Sequence, residues 1–346
     1  MKRGVDAREI RETDLLVVWG GNPVNTQINV IHRFQQARRQ RGTKLVVVDP
    51  YTTDTAKRAD LHLRLRPGTD GALACAVMHI LFHDGLADWD YLQNYSDDPL
   101  GLTEHLKMRT PAWAASITGL AVSEIEKFAE LYGSNPRSFL RLGYGFTRAR
   151  NGATNMHAVC CLPMITGAWK YYGGGALYSN SGMNPFDVSE IKGLDRIDLS
   201  TRVLDQSRIG PILCGHPQDL QGEPPIQAIF IQNTNPMVVA PETNLVRKGF
   251  SRDDLFICVH DQFMTETAEM ADVVLPATTF LEHDDCYSAG GHTFFQIAKA
   301  VIPPLAECRS NHWVIQQLAM RLEAEHKGFL KSEWELISYM LKKSGY

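Results

Sequence analysis

Residues suited to holding a nucleotide stand at the ends of two apolar runs in this sequence. The first run, Leu15-Leu16-Val17-Val18-Trp19, leads into Gly20-Gly21-Asn22-Pro23. A second, Val46-Val47-Val48, ends on Asp49, with Thr53 and Thr55 behind it. Glycine at a strand end lets a ligand approach the backbone, and the helix that follows offers unpaired N–H groups to phosphate. A carboxylate at the next strand end can accept from ribose hydroxyls or a guanine N–H edge. The order then recurs. Ala228-Ile229-Phe230-Ile231-Gln232 leads into Asn233-Thr234-Asn235-Pro236, and Ile257-Cys258-Val259-His260 leads to Asp261, Thr265 and Thr267. Asn22 to Asp49 spans 27 positions, and Asn235 to Asp261 spans 26. Asp49–Thr53 and Asp261–Thr265 are both 4 apart; Asp49–Asp60 and Asp261–Asp272 are both 11 apart. One strand-end Asn-Pro is only a turn signal, and one strand-end Asp is often a cap. Two copies with matching offsets point to an internal repeat with paired nucleotide sites.

The elements that must position these residues alternate between strand and helix. Residues 14–19 and 44–48 read as buried strands. A helix is expected from Thr26 to Arg41, with Gly42 at its left-handed end. Residues 61–66 alternate as an edge strand would. Thr69 or Asp70 caps a helix running to Asp84 and stopped by Gly85. Ser123-Glu124-Ile125-Glu126 suits a capping box. Ser138 to Leu142 is a further strand before Gly143-Tyr144-Gly145, and Ala153 to Tyr171 reads as a long apolar helix. Strand and helix resume at Ile226, and a last helix is expected from Ser332 to Lys343. Short connections and strict alternation predict a doubly wound, mainly parallel α/β fold. The expected organisation is a first α/β domain over 1–180, an irregular crossover over 181–225, and a second, partial α/β domain over 226–346.

The 346 residues suffice for about two domains. Net charge is −4, which gives no broad basic footprint for nucleic acid. No apolar run reaches the length of a membrane span. Met1-Lys2-Arg3-Gly4-Val5-Asp6 carries neither an apolar export core nor twin arginines. The seven cysteines are scattered and none forms CxxC, so neither a disulfide framework nor an iron–sulfur site is expected, and a reducing, cytoplasmic setting is the default. His157, Cys160 and Cys161 read as core helix residues. His283-Asp284-Asp285-Cys286 with His292, after a strand end, is the densest potential ligand cluster, and a metal is the less favoured reading of it. An ordinary NAD site wants GxGxxG after the first strand, and neither Gly20-Gly21-Asn22-Pro23 nor Gly143-Tyr144-Gly145 supplies it.

At these residues the sequence resembles the molybdopterin oxidoreductases, the family of dimethyl sulfoxide reductase, formate dehydrogenase and thiosulfate or polysulfide reductases. The matching segments are Trp19-Gly20-Gly21-Asn22-Pro23, Val48-Asp49-Pro50, Leu65-Arg66-Pro67-Gly68-Thr69-Asp70-Gly71, Gly143-Tyr144-Gly145 through Arg148 to Asn151-Gly152, Asn235-Pro236, and Asp261 through Ala277. They fall in the family's order and cover about residues 5–320. The resemblance implies two related Rossmann-like domains, as in formate dehydrogenase and dimethyl sulfoxide reductase, each holding one guanosine end of a molybdenum- or tungsten-bound pair of molybdopterin guanine dinucleotides. It assigns Trp19, Gly20, Asn22, Asp49, Gly68 and Asp70 to one dinucleotide. Gly143, Gly145, Arg148, Gly152, Asn235, Asp261, Thr265 and Thr267 would line the path of the other. Arg66 and Arg148 would pair with pyrophosphate, or else make surface ion pairs.

The resemblance also implies parts that these residues do not contain. A cysteine motif for a [4Fe–4S] cluster and the residue that ligates the metal precede the first matching segment in the family, and a closing domain follows the last. The expectation is therefore a catalytic-subunit fragment without turnover of its own, and with no catalytic or metal-ligating residue. Its second sheet should lack strands and leave an open edge. Two-electron chemistry on a small-molecule substrate, with an iron–sulfur or other electron-transfer partner, is implied for the intact protein. The alternative is a scaffold subunit of a respiratory complex that keeps the fold without molybdenum.

Overall fold

The computed structural model describes residues 5–346. The opening Met1-Lys2-Arg3-Gly4, read above as lacking an export signal, lies outside them. The chain divides into two compact units. One runs through Asn184 and takes in Ser288–Phe295; the other comprises Pro185–Tyr287 and Gln296–Tyr346.

The first unit is built on five parallel strands: β1 (Leu15–Trp19), β2 (Lys44–Val48), β3 (Leu61–Leu63), β4 (Ser138–Leu142) and β5 (Gly175–Leu177). Their order is β3-β2-β1-β4-β5, so the winding reverses between β1 and β4. Helix α1 (Pro23–Thr26) is a single turn, and α2 (Ile28–Arg41) follows it. Gly42 ends α2 with φ +71°, as its position required. Helix α3 (Asp70–His83) is nearly all apolar, because the sheet lies on one side and other helices on the other. Those helices are α4 (Trp89–Tyr95), α5 (Pro99–Leu106), α6 (Pro111–Thr118), α7 (Val122–Gly133) and α8 (Gly152–Ile165). Every residue of β1 is buried. Leu15, Val17 and Trp19 face α3 and α7, while Leu16 and Val18 face α2.

Three local expectations shift. The edge strand closes at Leu63 rather than Arg66, because Arg66 N turns away to bond Thr118 O at 2.8 Å. Helix α7 opens two residues earlier than the capping box implied, with Ala121 at the cap, so only the Glu124 half of a box forms. The long apolar helix stops at Ile165, because Gly167 takes φ +63° and starts a separate short turn.

The second unit holds β6 (Ala228–Gln232), β7 (Phe256–Asp261) and β8 (Val273–Pro276), parallel and in the order β6-β7-β8. This repeats the β1-β2-β3 half of the first sheet. Among the described residues no strand stands beside β6 where β4 flanks β1. The open edge expected of the second sheet is therefore present, and Phe230 on β6 is 37% exposed. Helices α9 (Ile209–Leu213), α10 (Pro236–Val239) and α11 (Thr243–Phe250) accompany this sheet, and Leu213, Met237, Val246 and Phe250 pack with Ile257 and Val259. A two-stranded sheet of β9 (Asp285–Ser288) and β10 (Phe295–Ala298) follows, then α12 (Asn311–Arg321) and α13 (Glu333–Lys343). Ser332 and Glu335 cap α13 reciprocally. Among the described residues no helix is long and apolar enough to cross a membrane.

Candidate dinucleotide-binding sites

The repeat extends to individual hydrogen bonds. In the first unit Thr55 Oγ1 donates to Asn22 Oδ1 at 2.7 Å and accepts from Val24 N at 3.1 Å. In the second, Thr267 Oγ1 donates to Asn235 Oδ1 at 2.6 Å and accepts from Met237 N at 3.1 Å. Thr53 and Thr265 each accept from the N–H three residues on, at 3.0 and 3.2 Å. Asp60 and Asp272 each accept, at 2.7 Å, from the second residue of the neighbouring strand or its equivalent, Leu45 and Ile257. The matched offsets in the sequence exist to close this frame.

The frame explains why Asn, Thr and Pro recur. Pro starts the single helical turn at a position that needs no N–H donor. The Asn–Thr pair ties that turn to the loop after the next strand, which aims the strand-end carboxylate. Both Thr55 and Thr267 are fully buried. Thr55→Val or Thr267→Val is expected to cost about 1–3 kcal/mol, because each removes the hydroxyl bond to the half-buried Asn oxygen and leaves the N–H of Val24 or Met237 without its partner. Serine at either position should recover most of the loss. Chemical denaturation of the wild type and the two variants at each position measures it.

A cleft of about 300 Å³ opens at the strand ends of the first unit. Gly20, Asn22, Asp49, Gly68, Asp70, Gly145 and Arg148 line it. The structure thus brings Gly145 and Arg148 into one cleft with the first set of residues. The reason is the winding: the loop after β4 crosses at the switch point directly over Gly20. Gly145 N donates to Gly20 O at 2.9 Å. A Cβ on Gly143 would collide with Gly20 O. Trp19, Arg66, Gly143 and Gly152 do not line this cleft. Trp19 is buried, and its indole N–H donates to Asp70 Oδ1 at 2.8 Å. Arg66 donates to the carbonyls of Ser116 and Ile117, at the end of α6. Gly152 begins α8 against Thr147, where a side chain would not fit.

Two carboxylates meet in this cleft, and Asp49 and Asp70 are 7% and 4% exposed. Burial pushes both above the usual carboxylate range. Arg148 is exposed and makes no ion pair among the described residues, so its guanidinium is free for an anion. Asn151 and Asn155 contribute in a way that sequence reasoning missed. Asn151 Nδ2 donates to Gly68 O at 2.9 Å, and Asn155 Oδ1 accepts from Gly71 N at 3.1 Å. They dock the start of α8 on the loop that presents Asp70. The sequence signal was the Asn151-Gly152 pair, noted only for its glycine.

A wider cleft of about 740 Å³ occupies the matching place in the second unit. Asn235 and Asp261 line it, with Gln262, Thr278, His283 and Glu333. Thr265 and Thr267 do not, being engaged in the frame. Asp261 Oδ1 accepts from Gln262 N at 2.7 Å and Phe263 N at 3.2 Å. Asp284 and Asp285 add further acid, and no Lys or Arg side chain lines the wall. Among the described residues no three His, Cys, Asp or Glu side chains are grouped to hold a metal.

Behind Asp261, His260 is fully buried. Its Nε2–H donates to Arg309 O at 3.2 Å, and Nδ1 accepts from Gln232 Nε2 at 2.9 Å. Burial holds it below its ordinary value of 6.5. The unfolded chain therefore binds the proton first as pH falls. Stability from this residue is complete above about pH 6.5 and is lost below it, by about 1.4 kcal/mol per pH unit at most. Melting curves between pH 8 and 5 should show this slope, and His260→Gln should flatten it.

The molecule is a doubly wound α/β protein that carries the same strand-end frame a second time, on a three-stranded rather than a five-stranded sheet. Over residues 4–321 the chain matches the family description "Molybdopterin oxidoreductase", and it belongs to that family. It is 40% identical over 331 residues to the probable oxidoreductase YoaE of Bacillus subtilis (strain 168), covering 95% of this chain and 47% of that protein. It is 30% identical to the F420-dependent formate dehydrogenase 1 subunit alpha of Methanococcus maripaludis, covering 91% of this chain and 48% of that protein. The chain thus spans about half the length of the curated relatives it matches. The acetylene hydratase of Pelobacter acetylenicus shares the fold, with a TM-score of 0.71 at 22% identity over 98% of this chain and 53% of that one.

Proposed function

We propose that this chain holds the two guanosine ends of a molybdopterin guanine dinucleotide pair, as part of a molybdenum or tungsten oxidoreductase. The observation that carries the reading is the shared frame, which sets Asp49 and Asp261 at equivalent strand ends, each on the wall of its own cleft. The residues fit the ligand. Each carboxylate keeps an oxygen with no partner among the described residues, suited to two guanine N–H donors. Gly20, Gly68 and Gly145 leave the first cleft's backbone open to close approach. Arg148 supplies a cation for phosphate beside the first carboxylate. The second cleft has no such cation and suits a nucleoside rather than its phosphates. When bound, the cofactor supplies the two-electron chemistry. The residues of this chain bind it, orient it and hold charge around it. The substrate, a [4Fe–4S] cluster, an electron-transfer partner and a cytoplasmic setting belong to the same reading of the intact protein.

The test is calorimetric titration of the chain with GMP and GDP. Two guanine-selective sites are expected, with AMP binding weakly. Absence of guanine-selective binding, or preference for adenine, sinks the reading.

A further inference from the structure

Helix α3 carries two histidines about one turn apart, His79 and His83. That spacing puts both on the same face. Their rings lie nearly parallel, with planes 16° apart and centroids 6.1 Å apart. His79 is half-buried and His83 is exposed. His79 Nδ1 is 3.0 Å from Leu106 O, and His83 Nδ1 is 2.6 Å from Asp84 Oδ1. A carbonyl or carboxylate oxygen accepts, so both Nδ1 atoms carry the hydrogen. In the neutral rings the lone pairs therefore belong to the two Nε2 atoms. Neither Nε2 makes a hydrogen bond among the described residues. Metal-ligating histidines are held in this way, with one ring N–H on a carbonyl or carboxylate and the other nitrogen open.

The groups around the pair are mostly acidic. Both histidines line a cleft of about 710 Å³ where α3 meets α7, together with Asp84, Glu126, Lys127 and Glu130. Glu126 and Glu130 are also four residues apart, so one face of α7 brings two carboxylates to the same cleft. Both glutamates are exposed, and neither side chain makes an ion pair or hydrogen bond among the described residues. Three acids against one lysine favour a cation there. The two helices are held in place from behind, because Val77, Ile80 and Leu81 of α3 share a core cluster with Ile125, Phe128 and Tyr132 of α7. No residue of this cleft lines the Asp49–Asp70 cleft. His79 comes nine positions after Asp70, about 14 Å along α3.

We infer that His79 and His83 chelate a divalent transition cation of the Zn²⁺ class, with a carboxylate of α7 completing the site. Paired imidazoles select such ions over Mg²⁺ and Ca²⁺, which take oxygen ligands. Without the ion the pair falls short of a three-ligand group. The third ligand arrives when Glu126 or Glu130, both long and exposed, rotates onto the ion, and water fills the position left over. The bound ion ties α3 to α7. The inference does not rest on the guanosine reading.

The test uses the full chain, treated with EDTA and exchanged into metal-free buffer, with ZnCl₂ as the probe. Zn²⁺ should bind saturably and raise the melting temperature, and MgCl₂ at the same concentration should do neither. His83→Gln should weaken Zn²⁺ binding by about tenfold or more and remove the stabilisation, while melting as wild type does without metal. Glu126→Gln combined with Glu130→Gln should weaken binding by about three- to tenfold. His157→Gln, at an exposed histidine of α8 outside the cleft, should bind as wild type. Co²⁺ in place of Zn²⁺ should bind without the sulfur-to-metal charge-transfer band of a cysteine site. Equal binding by wild type and His83→Gln overturns the inference, as does unchanged binding by the double glutamate variant. So does a loss in His157→Gln as large as in His83→Gln, which marks adventitious binding to surface histidines, or a thiolate band on bound Co²⁺.

Discussion

Asp49→Asn should weaken GDP binding at the first cleft by about 2–4 kcal/mol, roughly 30- to 1,000-fold, while the second cleft binds as before. Tyr51 N holds Oδ1 at 3.3 Å, so the carboxylate presents its other oxygen to the guanine N–H donors. Asparagine, keeping its Oδ1 on Tyr51 N, turns an NH₂ toward those donors instead. The free chain should respond in the opposite direction. Burial holds Asp49 above its ordinary range, so the folded state disfavours its ionised form. That penalty is absent at low pH, where the folded and unfolded chains are both protonated. It grows as pH rises past the unfolded value and is fully present above the folded one. At neutral pH the asparagine variant should therefore melt no lower than wild type. Asp261→Asn should produce the complementary loss at the second cleft. Titration with GDP, read beside melting curves, separates binding from folding. If Asp49→Asn lost stability and affinity together, the carboxylate would be a structural cap and not a ligand group.

Gly20→Asn should destabilise the chain by about 3 kcal/mol or more, whereas Asn233→Gly should change stability by less than about 1 kcal/mol. The two residues are equivalent. Both follow the strand that opens their copy, and both take the left-handed conformation, with φ +63° at Gly20 and +57° at Asn233. The difference lies in what stands opposite. A Cβ at Gly20 would sit 2.7 Å from Phe146 N, in the loop after β4. The second copy has no counterpart of that loop among the described residues, and Asn is among the few side chains that tolerate a positive φ. At roughly 2–4 °C per kcal/mol for a unit of this size, the first change should lower the melting temperature by about 6 °C or more. Equal effects at both positions would show that local strain, and not the crossing loop, demands glycine.

The parts of the fold legible in the sequence were those that depend on local pattern. Residues 14–19 and 44–48 read as strands because buried parallel strands are apolar throughout, and Gly42 read as an end because only glycine takes that conformation cheaply. The boundaries at Leu63 and Ile165 were not legible. They are set by Arg66 N meeting Thr118 O and by the turn at Gly167, which periodicity does not encode. The candidate site divides in the same way. Asp49 and Asp261 stand out as polar ends of apolar strands. The work of Asn22, Asn235 and Thr267 does not, because a side chain that braces a loop and one that grips a ligand share the same residue types.

The sequence by itself determined that one strand–turn–helix–strand–aspartate frame occurs twice, since matched offsets survive without knowledge of any contact. It also determined the class of fold, through alternation and short connections. Only the tertiary structure decided which residues share a cleft. Gly145 and Arg148 join Asp49 because β4 lies beside β1, about 120 positions away in the chain, and its loop crosses Gly20. Only the structure showed that His79 and His83 share a cleft with Glu126 and Glu130, because α3 and α7 become neighbours only on folding. The two copies carry the same frame, but the strand that flanks the first and not the second makes one a narrow, closely packed cleft and the other a wide, acidic one.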